Sequence, residues 1–151
     1  MHFSRLISTP IGMLKAVADA NALIHLDFVE EETQDKCSDH PLLLQLEREL
    51  NEYFCKKRQT FTLPLSPSGT EFQMDVWNTL LKIPYGKTVS YAKEAQMLGN
   101  PKAVRAVANA NGKNPIAILI PCHRVISSNG NIGGYTGGVW RKEFLLSLEK
   151  E

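Results

Sequence analysis

A stretch of linker composition near the middle of this chain limits how the chain can fold. Residues 64–69 read Pro-Leu-Ser-Pro-Ser-Gly, and the spacing of apolar residues differs on the two sides of it. Before this stretch the apolar residues fall into short runs and then one helical pattern, whereas after it helical spacing dominates. We therefore expect two domains, residues 1–66 and residues 70–151, in a chain whose 43% apolar residues can supply both with a core.

The first domain is predicted to be an antiparallel meander followed by one helix. Turn-forming residues separate three apolar runs, at residues 3–7, 14–18 and 23–28. An acidic loop over residues 30–39 then leads to Pro41, which suits the first position of a helix. The expected fold class is therefore a mixed α/β (α+β) fold, in which a small antiparallel sheet with one helix is followed by a helical domain.

Three helices are predicted to open the second domain. Thr70 and Gln73 have the spacing of a capping box, which starts the first helix. Two more helices follow, from about Ser90 to Leu98 and from Pro101 to about Asn111, and Gly99-Asn100-Pro101 supplies a turn, a cap and a first-turn proline between them. Two short helices joined by such a turn are typical of a helix-turn-helix, although a compact helical bundle gives the same pattern.

Basic residues concentrate in the second domain, although the net charge of the whole chain is +1. Residues 1–69 hold seven Lys/Arg against ten Asp/Glu, and residues 70–151 hold ten against six. Within residues 85–142, eight basic side chains stand against Glu94 alone. Such a segment fits the phosphates of a nucleic acid, and a solvated basic face is the alternative. The third helix carries mostly small side chains and one long one, Arg105, which suits a narrow groove recognised by shape.

The chain has three cysteines, Cys37, Cys55 and Cys122, at unrelated spacings. Their odd number and the absence of an apolar N-terminal segment indicate reduced thiols, a cytoplasmic location and no membrane association. The spacing Cys37-x-x-His40 with Cys55 downstream lacks the second pair of ligands typical of a zinc site, so we expect no metal and no cofactor. The simplest role for Cys37 and Cys55 is that of small apolar side chains.

Cys122 differs from the other two cysteines in its neighbours. It follows the apolar run of residues 117–120 and Pro121, which predicts a buried strand that ends just before the thiol. The adjacent residues His123 and Arg124 raise the local positive potential, and we expect them to lower the thiol pKa. A lower pKa would increase the fraction of thiolate, which is the nucleophilic form.

His123 can act as a base for this thiol if a carboxylate fixes its tautomer. In an extended chain adjacent side chains point apart, so a bridging water would have to link the imidazole to the thiol. The carboxylates downstream are Glu143, Glu149 and Glu151, on or just after a predicted terminal helix over residues 139–150. The glycine-rich residues 127–138 before that helix form either the wall of a ligand pocket or a flexible surface loop.

The segment Pro121-Cys122-His123-Arg124-Val125 resembles the active-site motif of the 6-O-alkylguanine-DNA alkyltransferases. The resemblance covers, in order, essentially all of residues 70–149, and the N-terminal part is similar in size and in its strands-then-helix pattern. Further matching positions are Phe72 with Trp77, Pro84-Tyr85-Gly86, Val89-Ser90-Tyr91, Asn100-Pro101-Lys102 with Ala103 and Arg105, Asn114-Pro115, and Gly133 with Tyr135-Thr136-Gly137-Gly138.

This resemblance implies a ribonuclease-H-like N-terminal domain and a C-terminal domain with a winged helix-turn-helix. It also implies repair of double-stranded DNA, in which an alkyl group passes irreversibly from 6-O-alkylguanine to Cys122 after the base is rotated out through the minor groove. The protein would act without a cofactor, and each molecule would be spent after one transfer. A monomer is expected because no coiled-coil or unpaired apolar pattern in the sequence suggests an oligomer. Activity toward 4-O-methylthymine and the preference between methyl and larger groups stay open.

The resemblance also implies a role for individual residues. The catalytic residues would be Cys122 as acceptor, His123 as water-linked base, Glu149 as its orienting carboxylate, Asn114 as holder of the cysteine loop, and Tyr91 as proton donor to the departing guanine. The residues in contact with the flipped base would be Val125, Tyr135 and Thr136. The residues at the DNA would be Arg105, which takes the place of the extruded nucleotide, together with Tyr91, Asn100, Lys102, Ala103 and Ser128.

Three other functions are the alternatives. A lesion-binding relative that marks damage for another pathway would lack the cysteine that is present here as Cys122. A transcription regulator would use the helix-turn-helix, but the chain offers no further domain for that role. A cysteine hydrolase with a Cys/His pair would turn over and would not need a DNA-binding helix.

Overall fold

The computed structural model describes residues 1–30 and 37–150, and the chain divides into two compact units. The first consists of Met1–Ser68 together with Pro115–Ala117, and the second consists of Gly69–Asn114 and Ile118–Glu151. Most of the predicted acidic loop over residues 30–39 lies outside the described residues. In the described ranges, no helix is long and apolar enough to cross a membrane.

The first unit is built on an antiparallel sheet of three strands, β1 (Phe3–Thr9), β2 (Gly12–Ala18) and β3 (Leu23–Val29). The strands lie in the order β1-β2-β3, with Ile7 opposite Leu14 in the first ladder. Alternate residues of β2 are buried, which is the period expected of a strand with one face on the core. The predicted meander is therefore confirmed, and the strands extend one or two residues beyond the apolar runs.

One helix, α1 (Pro41–Phe54), packs against β1 and β2 of this sheet. Pro41 lies in its first turn, as the sequence predicts, and His40 caps it because its Nδ1 accepts a hydrogen bond from Leu42 N (3.3 Å). The apolar face of the helix supplies the core with Leu43, Leu46, Leu50 and Tyr53.

The described part of the second unit contains four helices, α2 (Glu71–Leu80), α3 (Tyr91–Leu98), α4 (Val104–Gly112) and α5 (Val139–Glu149). A short parallel ladder joins β4 (Val89–Ser90) to β5 (Val125–Ile126). The predicted capping box of Thr70 and Gln73 is present at the start of α2. The core of the second unit includes Val76, Trp77, Leu80, Ala95, Val107, Ala110 and Leu145.

The turn between α3 and α4 differs from the prediction. Gly99 ends α3 in the left-handed conformation (φ 92°), as expected of a glycine after a helix. The prediction that Asn100 caps the next helix and that Pro101 lies in its first turn is wrong, because α4 begins at Val104 without a side-chain cap. Pro101 instead occupies a tight turn closed by the hydrogen bond from Ala103 N to Asn100 O (3.0 Å), where the fixed φ of proline is equally favourable.

The predicted buried strand over residues 117–120 is also wrong. Its apolar side chains from Ile118 to Ile120 are buried, but the backbone forms turns and Ile118 has φ 71°. Among the described residues, strand pairing in this region consists of one bridge, between Ile116 and Leu26 within the first unit. Cys122 therefore lies in a single 3-10 turn, Cys122–Arg124, and not at the end of a strand.

Candidate active site

The turn that carries Cys122 is fixed by hydrogen bonds on both sides of the thiol. Cys122 N donates to Ile120 O (2.8 Å), and Arg124 N donates to Pro121 O (3.0 Å). The Nδ2 group of Asn114 donates to Ile120 O at 2.8 Å and to Cys122 Sγ at 3.4 Å. Asn114 therefore contacts both the backbone before the turn and the sulfur, which is the geometry that a holder of this loop requires.

A pocket of about 420 Å³ lies beside the partly exposed thiol. Its volume falls in the range of sites that bind small molecules. Thr136 Oγ1 donates to Gly112 O (3.0 Å), so the glycine-rich segment is joined to the end of α4 at the pocket wall. The residues that line the pocket are Tyr91, Ala108, Asn111, Gly112, Cys122, Gly134, Tyr135 and Thr136.

A buried ionic cluster adjoins the 3-10 turn. His123 Nε2 lies 2.7 Å from Glu149 Oε2, and Arg124 donates from Nε to Glu149 Oε1 (2.8 Å) and from Nη2 to Glu149 Oε2 (3.1 Å). All three side chains are buried. Of the three candidate carboxylates, Glu149 is the one that meets His123, whereas Glu143 is exposed and Glu151 lies outside the described residues.

The surroundings of this cluster determine its protonation. Burial lowers the pKa of His123 in spite of the adjacent Glu149 carboxylate, so the imidazole is neutral at neutral pH. Burial alone would raise the pKa of Glu149, but the hydrogen bonds from His123 and Arg124 outweigh it and lower that pKa to about 2. A neutral imidazole beside a carboxylate places its proton on the nitrogen that faces it, here Nε2. His123 Nδ1, which is buried and has no hydrogen-bond partner in the described part of the chain, is then the basic nitrogen.

The prediction that His123 and Arg124 lower the pKa of Cys122 is wrong. Burial raises the pKa of this thiol, and it outweighs the hydrogen bond from Asn114 and the positive charge of Lys142, which lower it. Arg124 gives the thiol little help because its guanidinium binds Glu149 and donates from Nη1 to Ile83 O (2.7 Å). The resting site therefore holds a protonated thiol, which needs a base before it can act as a nucleophile.

Lys142 is a site residue that the sequence reasoning missed. It is fully buried on α5, and its Nζ donates to Val125 O (2.6 Å) and to Gly134 O (3.1 Å). These bonds connect the strand after the cysteine turn to the loop at the pocket wall. A signal was available, because Lys142, Leu145 and Glu149 follow one another at helical spacing and are the buried residues of α5.

The residues expected to contact a base fall into two groups. Tyr135 and Thr136 line the pocket next to Tyr91, whereas Val125 is fully buried and is not part of the pocket wall. Gly133 has φ 80°, and a Cβ atom there would lie 2.9 Å from the Tyr91 hydroxyl. The loop can approach Tyr91 this closely because position 133 is glycine.

Most residues expected at the DNA lie around the start of α4. Asn100 and Lys102 are exposed in the turn before it, Ala103 is partly exposed, and Arg105 is exposed on the helix. Ser128 is also exposed, but in the loop that follows β5.

The second unit thus combines a basic helix-turn-helix with a pocket that holds a partly exposed thiol next to a buried pair of His123 and Glu149. These features define a class of protein that can bind a polyanion and carry out nucleophilic chemistry on a group held in the pocket.

Comparison with protein families supports this class of protein, and the matches extend over most of the chain. Residues 71–151 match the family described as 6-O-methylguanine DNA methyltransferase, DNA binding domain, and residues 3–67 match the ribonuclease-like domain of the same proteins. The chain belongs to the 6-O-methylguanine DNA methyltransferase family. The family predicted from the sequence and the predicted α/β fold class are therefore confirmed.

Individual relatives match over nearly their whole length. A methylated-DNA--protein-cysteine methyltransferase of Methanosarcina barkeri is 44% identical over 150 residues, with 96% of this chain and 95% of that protein covered. The constitutive enzyme of that name from Bacillus subtilis is 40% identical over 159 residues, with 99% and 96% covered. The crystal structure of Mycobacterium tuberculosis OGT in complex with DNA is 43% identical, covers 98% of this chain and 92% of that one, and superposes with a TM-score of 0.89.

Proposed function

We propose that this protein repairs double-stranded DNA by moving the alkyl group of a 6-O-alkylguanine to Cys122 Sγ, once per protein molecule. The observation that carries the proposal is that Cys122 lines a pocket of about 420 Å³ while the imidazole of the adjacent residue, His123, lies 2.7 Å from the Glu149 carboxylate. The names of the relatives, which are methylated-DNA--protein-cysteine methyltransferases, support the substrate and the acceptor. The DNA complex of the Mycobacterium tuberculosis protein supports the partner.

The first step is removal of the thiol proton. His123 Nδ1 accepts it through a bridging water, and the ionised Glu149 stabilises the imidazolium that forms. Arg124 keeps Glu149 ionised and oriented through its two hydrogen bonds. Asn114 Nδ2 stabilises the thiolate, because its hydrogen bond to the sulfur lowers the thiol pKa.

The second step is in-line displacement at the alkyl carbon. The S–C bond forms as the bond from carbon to guanine O6 breaks, and the electron pair of that bond stays with the base. Tyr91 lines the pocket and donates a proton to the departing guanine, and burial raises its pKa so that the hydroxyl is protonated at neutral pH. The proton taken up by His123 then restores Tyr91, so the products are a thioether and neutral guanine.

The base has to leave the duplex for this geometry, because a stacked base cannot offer its O6 substituent for in-line attack. We propose that Arg105 fills the space it leaves and that Tyr91 helps to displace it. Tyr135 and Thr136 contact the flipped base. Val125 acts indirectly, because its carbonyl oxygen binds Lys142 Nζ, which also binds Gly134 O in the pocket wall. The remaining DNA contacts are assigned to Asn100, Lys102, Ala103 and Ser128, all of which reach the surface.

The organisation of the chain belongs to the same proposal. We assign residues 1–66 and 70–151 to the two domains and expect a cytoplasmic monomer that binds duplex DNA with alkylated bases. The location is supported by the three cysteines, all of which are free thiols as expected in a reducing compartment.

The experiment that tests the proposal compares two cysteine variants on duplex DNA that contains a single 6-O-methylguanine. Cys122→Ala should repair no lesion, whereas Cys55→Ala, which removes an exposed thiol of the first unit, should repair as much as the wild type. Loss of methylated base from the DNA is followed by mass spectrometry of the digested nucleosides. Repair that persists in Cys122→Ala would contradict the proposal.

A further inference from the structure

Glu94 has a buried carboxyl group near the pocket wall, and this group has no role in the alkyl transfer proposed for Cys122. It lies on α3, three residues after Tyr91, and is completely buried. Its Oε1 accepts a hydrogen bond from Asn111 Nδ2 at 2.8 Å. Asn111 belongs to the last turn of α4 and lines the pocket together with Cys122. One buried hydrogen bond therefore connects Glu94 to the wall at which the thiol reacts.

The hydrogen bonding of this pair is incomplete. Glu94 Oε2 and Asn111 Oδ1 are buried and make no hydrogen bond to any described residue. Two apolar residues of the same size would avoid that cost, so packing alone does not account for the pair. Burial raises the pKa of Glu94 to about 7, although Asn111 and Lys142 act in the opposite direction. The charge of Glu94 therefore changes with pH near neutrality.

The charged and titratable groups that act with Glu94 come from several elements. Lys142 on α5 favours its ionised form, and the negative charge of Glu94 in turn raises the pKa values of Cys122 and of Tyr91. On α4, Asn111 is uncharged and Arg105 is exposed. The other elements packed on α3 are α2, β4 and β5. The buried residues of α2 are uncharged and its charged residues, Glu71 and Asp75, are exposed, while β4 and β5 contain no charged residue.

We propose that Glu94 is a positioning residue for alkyl transfer, which fixes the Asn111 amide at the pocket wall and determines how much of the Lys142 charge stabilises the Cys122 thiolate. When Glu94 is neutral, the ammonium group of Lys142 acts on the thiolate without competition. When Glu94 is ionised, its own negative charge opposes thiolate formation. This inference rests on the proposed function, because it concerns the rate of that reaction.

The test is the pH dependence of the reaction between the full-length protein and free 6-O-benzylguanine, followed by the mass of the Cys122 peptide. For the wild type, the rate should be higher below pH 7 than above it, with a shoulder near pH 7 where Glu94 ionises, because the thiol proton passes to His123 inside the protein and only the charge of Glu94 changes. Glu94→Gln keeps the acceptor for Asn111 and removes the charge, so the shoulder should disappear. At pH 8 this variant should react about threefold faster, because loss of the Glu94 charge lowers the thiol pKa and the thiolate fraction rises by more than its nucleophilicity falls.

Glu49→Gln is the matched control. Glu49 is also completely buried, but it belongs to the first unit, where Gln45 and Thr62 hydrogen-bond it. This variant should keep the wild-type profile, shoulder included. A change of profile in Glu49→Gln equal to that in Glu94→Gln would overturn the inference.

The outcomes separate the inference from the function on which it rests. If Glu94 were merely structural, Glu94→Gln would change the rate by one factor at every pH, and that result would overturn the inference. A wild-type profile without a shoulder would do the same, even if the variant failed to fold. If wild-type Cys122 gained neither a benzyl group from the free base nor a methyl group from 6-O-methylguanine in duplex DNA, the proposed function would be overturned and the inference with it.

Discussion

At the scale of single residues, Cys122 depends on its partners for reactivity. Burial raises the pKa of the thiol, so the neighbours His123 and Arg124 in the sequence do not by themselves create a thiolate. A thiol that stays protonated until a base acts on it is also protected from oxidation, which attacks thiolates first. For a protein that is spent in one reaction, such protection preserves the acceptor for its substrate.

Glu149 should make the stability of the protein depend on acid pH. Its pKa in the folded protein is about 2, below the ordinary 4.5, because His123 and Arg124 bind the ionised form. The folded state therefore binds the proton less tightly than the unfolded chain, and this contribution is present above about pH 4.5 and lost as the pH falls towards 2. Its size is about 3 kcal/mol. Denaturant unfolding should show that the advantage of the wild type over Glu149→Gln shrinks from pH 7 to pH 3. An advantage independent of pH would contradict this account.

Arg105→Ala should separate base extrusion from alkyl transfer. Arg105 is exposed on α4, and the proposed chemistry at Cys122 does not involve it. The variant should repair duplex DNA at least about tenfold more slowly. Extrusion of a base costs a few kcal/mol, and without the Arg105 side chain nothing fills the space that the base leaves, so the base restacks more readily. Its reaction with a free 6-O-alkylated guanine should stay at the wild-type rate. Single-turnover kinetics on both substrates measure this, with Lys57→Ala, an exposed residue of the first unit, as the control. Equal slowing on both substrates would exclude the role given to Arg105.

At the scale of elements, the helix starts show where local sequence signals are sufficient. The capping box of α2 was predictable because its two bonds join residues three apart, Thr70 N to Gln73 Oε1 (3.0 Å) and Gln73 N to Thr70 Oγ1 (3.1 Å). The start of α4 was not predictable, because Pro101 fits both the first turn of a helix and the second position of a tight turn. Contacts beyond the local sequence decide between the two.

Thr70→Ala should destabilise the protein by about 1 kcal/mol, the usual cost of losing a helix cap. The bond from Gln73 N to the Thr70 hydroxyl is lost, whereas the backbone N–H of residue 70 can still donate to Gln73 Oε1. Urea unfolding measures the change, and Thr60→Ala, at an exposed position outside the helices, is the control. A loss no greater than that of the control would show that the box contributes nothing.

The interior of the site was harder to predict than its position in the chain. The run of residues 117–120 is apolar and buried, and a buried turn and a buried strand have the same composition. The left-handed Ile118 reveals the turn, and no sequence pattern indicates a β-branched residue in that conformation. Lys142 was overlooked because a lysine is rarely buried, and its two carbonyl partners are distant in the sequence.

At the scale of the whole molecule, acidic and basic residues divide between the two halves of the chain. The first 69 residues hold ten Asp/Glu against seven Lys/Arg, and the remainder hold six against ten. The sequence predicts this division and the change of pattern near residue 66. It does not predict that Pro115–Ala117 join the first unit, because that depends on backbone bonds between Leu26 and the two residues Pro115 and Ala117, far apart in the chain.

The basic half should make DNA binding depend on salt, and individual lysines should contribute to that dependence. Lys102 is exposed in the turn before α4, where we place DNA phosphates. Lys102→Ala should weaken binding to undamaged and damaged duplex alike and reduce the slope of log affinity against log salt by about one. Fluorescence anisotropy over a salt series measures both. The slope of Lys57→Ala should equal that of the wild type, and an unchanged slope for Lys102→Ala would remove this residue from the interface.

Cys122 accepts one alkyl group and is then spent, because a thioether has no easy hydrolytic exit. The most direct measurement mixes the protein with an excess of duplex DNA that carries 6-O-methylguanine, then counts the bases repaired and weighs each cysteine peptide. The account predicts one repaired base per protein molecule, with one methyl group on the Cys122 peptide and none on those of Cys37 and Cys55. Repair that continues beyond one equivalent, or a Cys122 peptide without a methyl group, would contradict it.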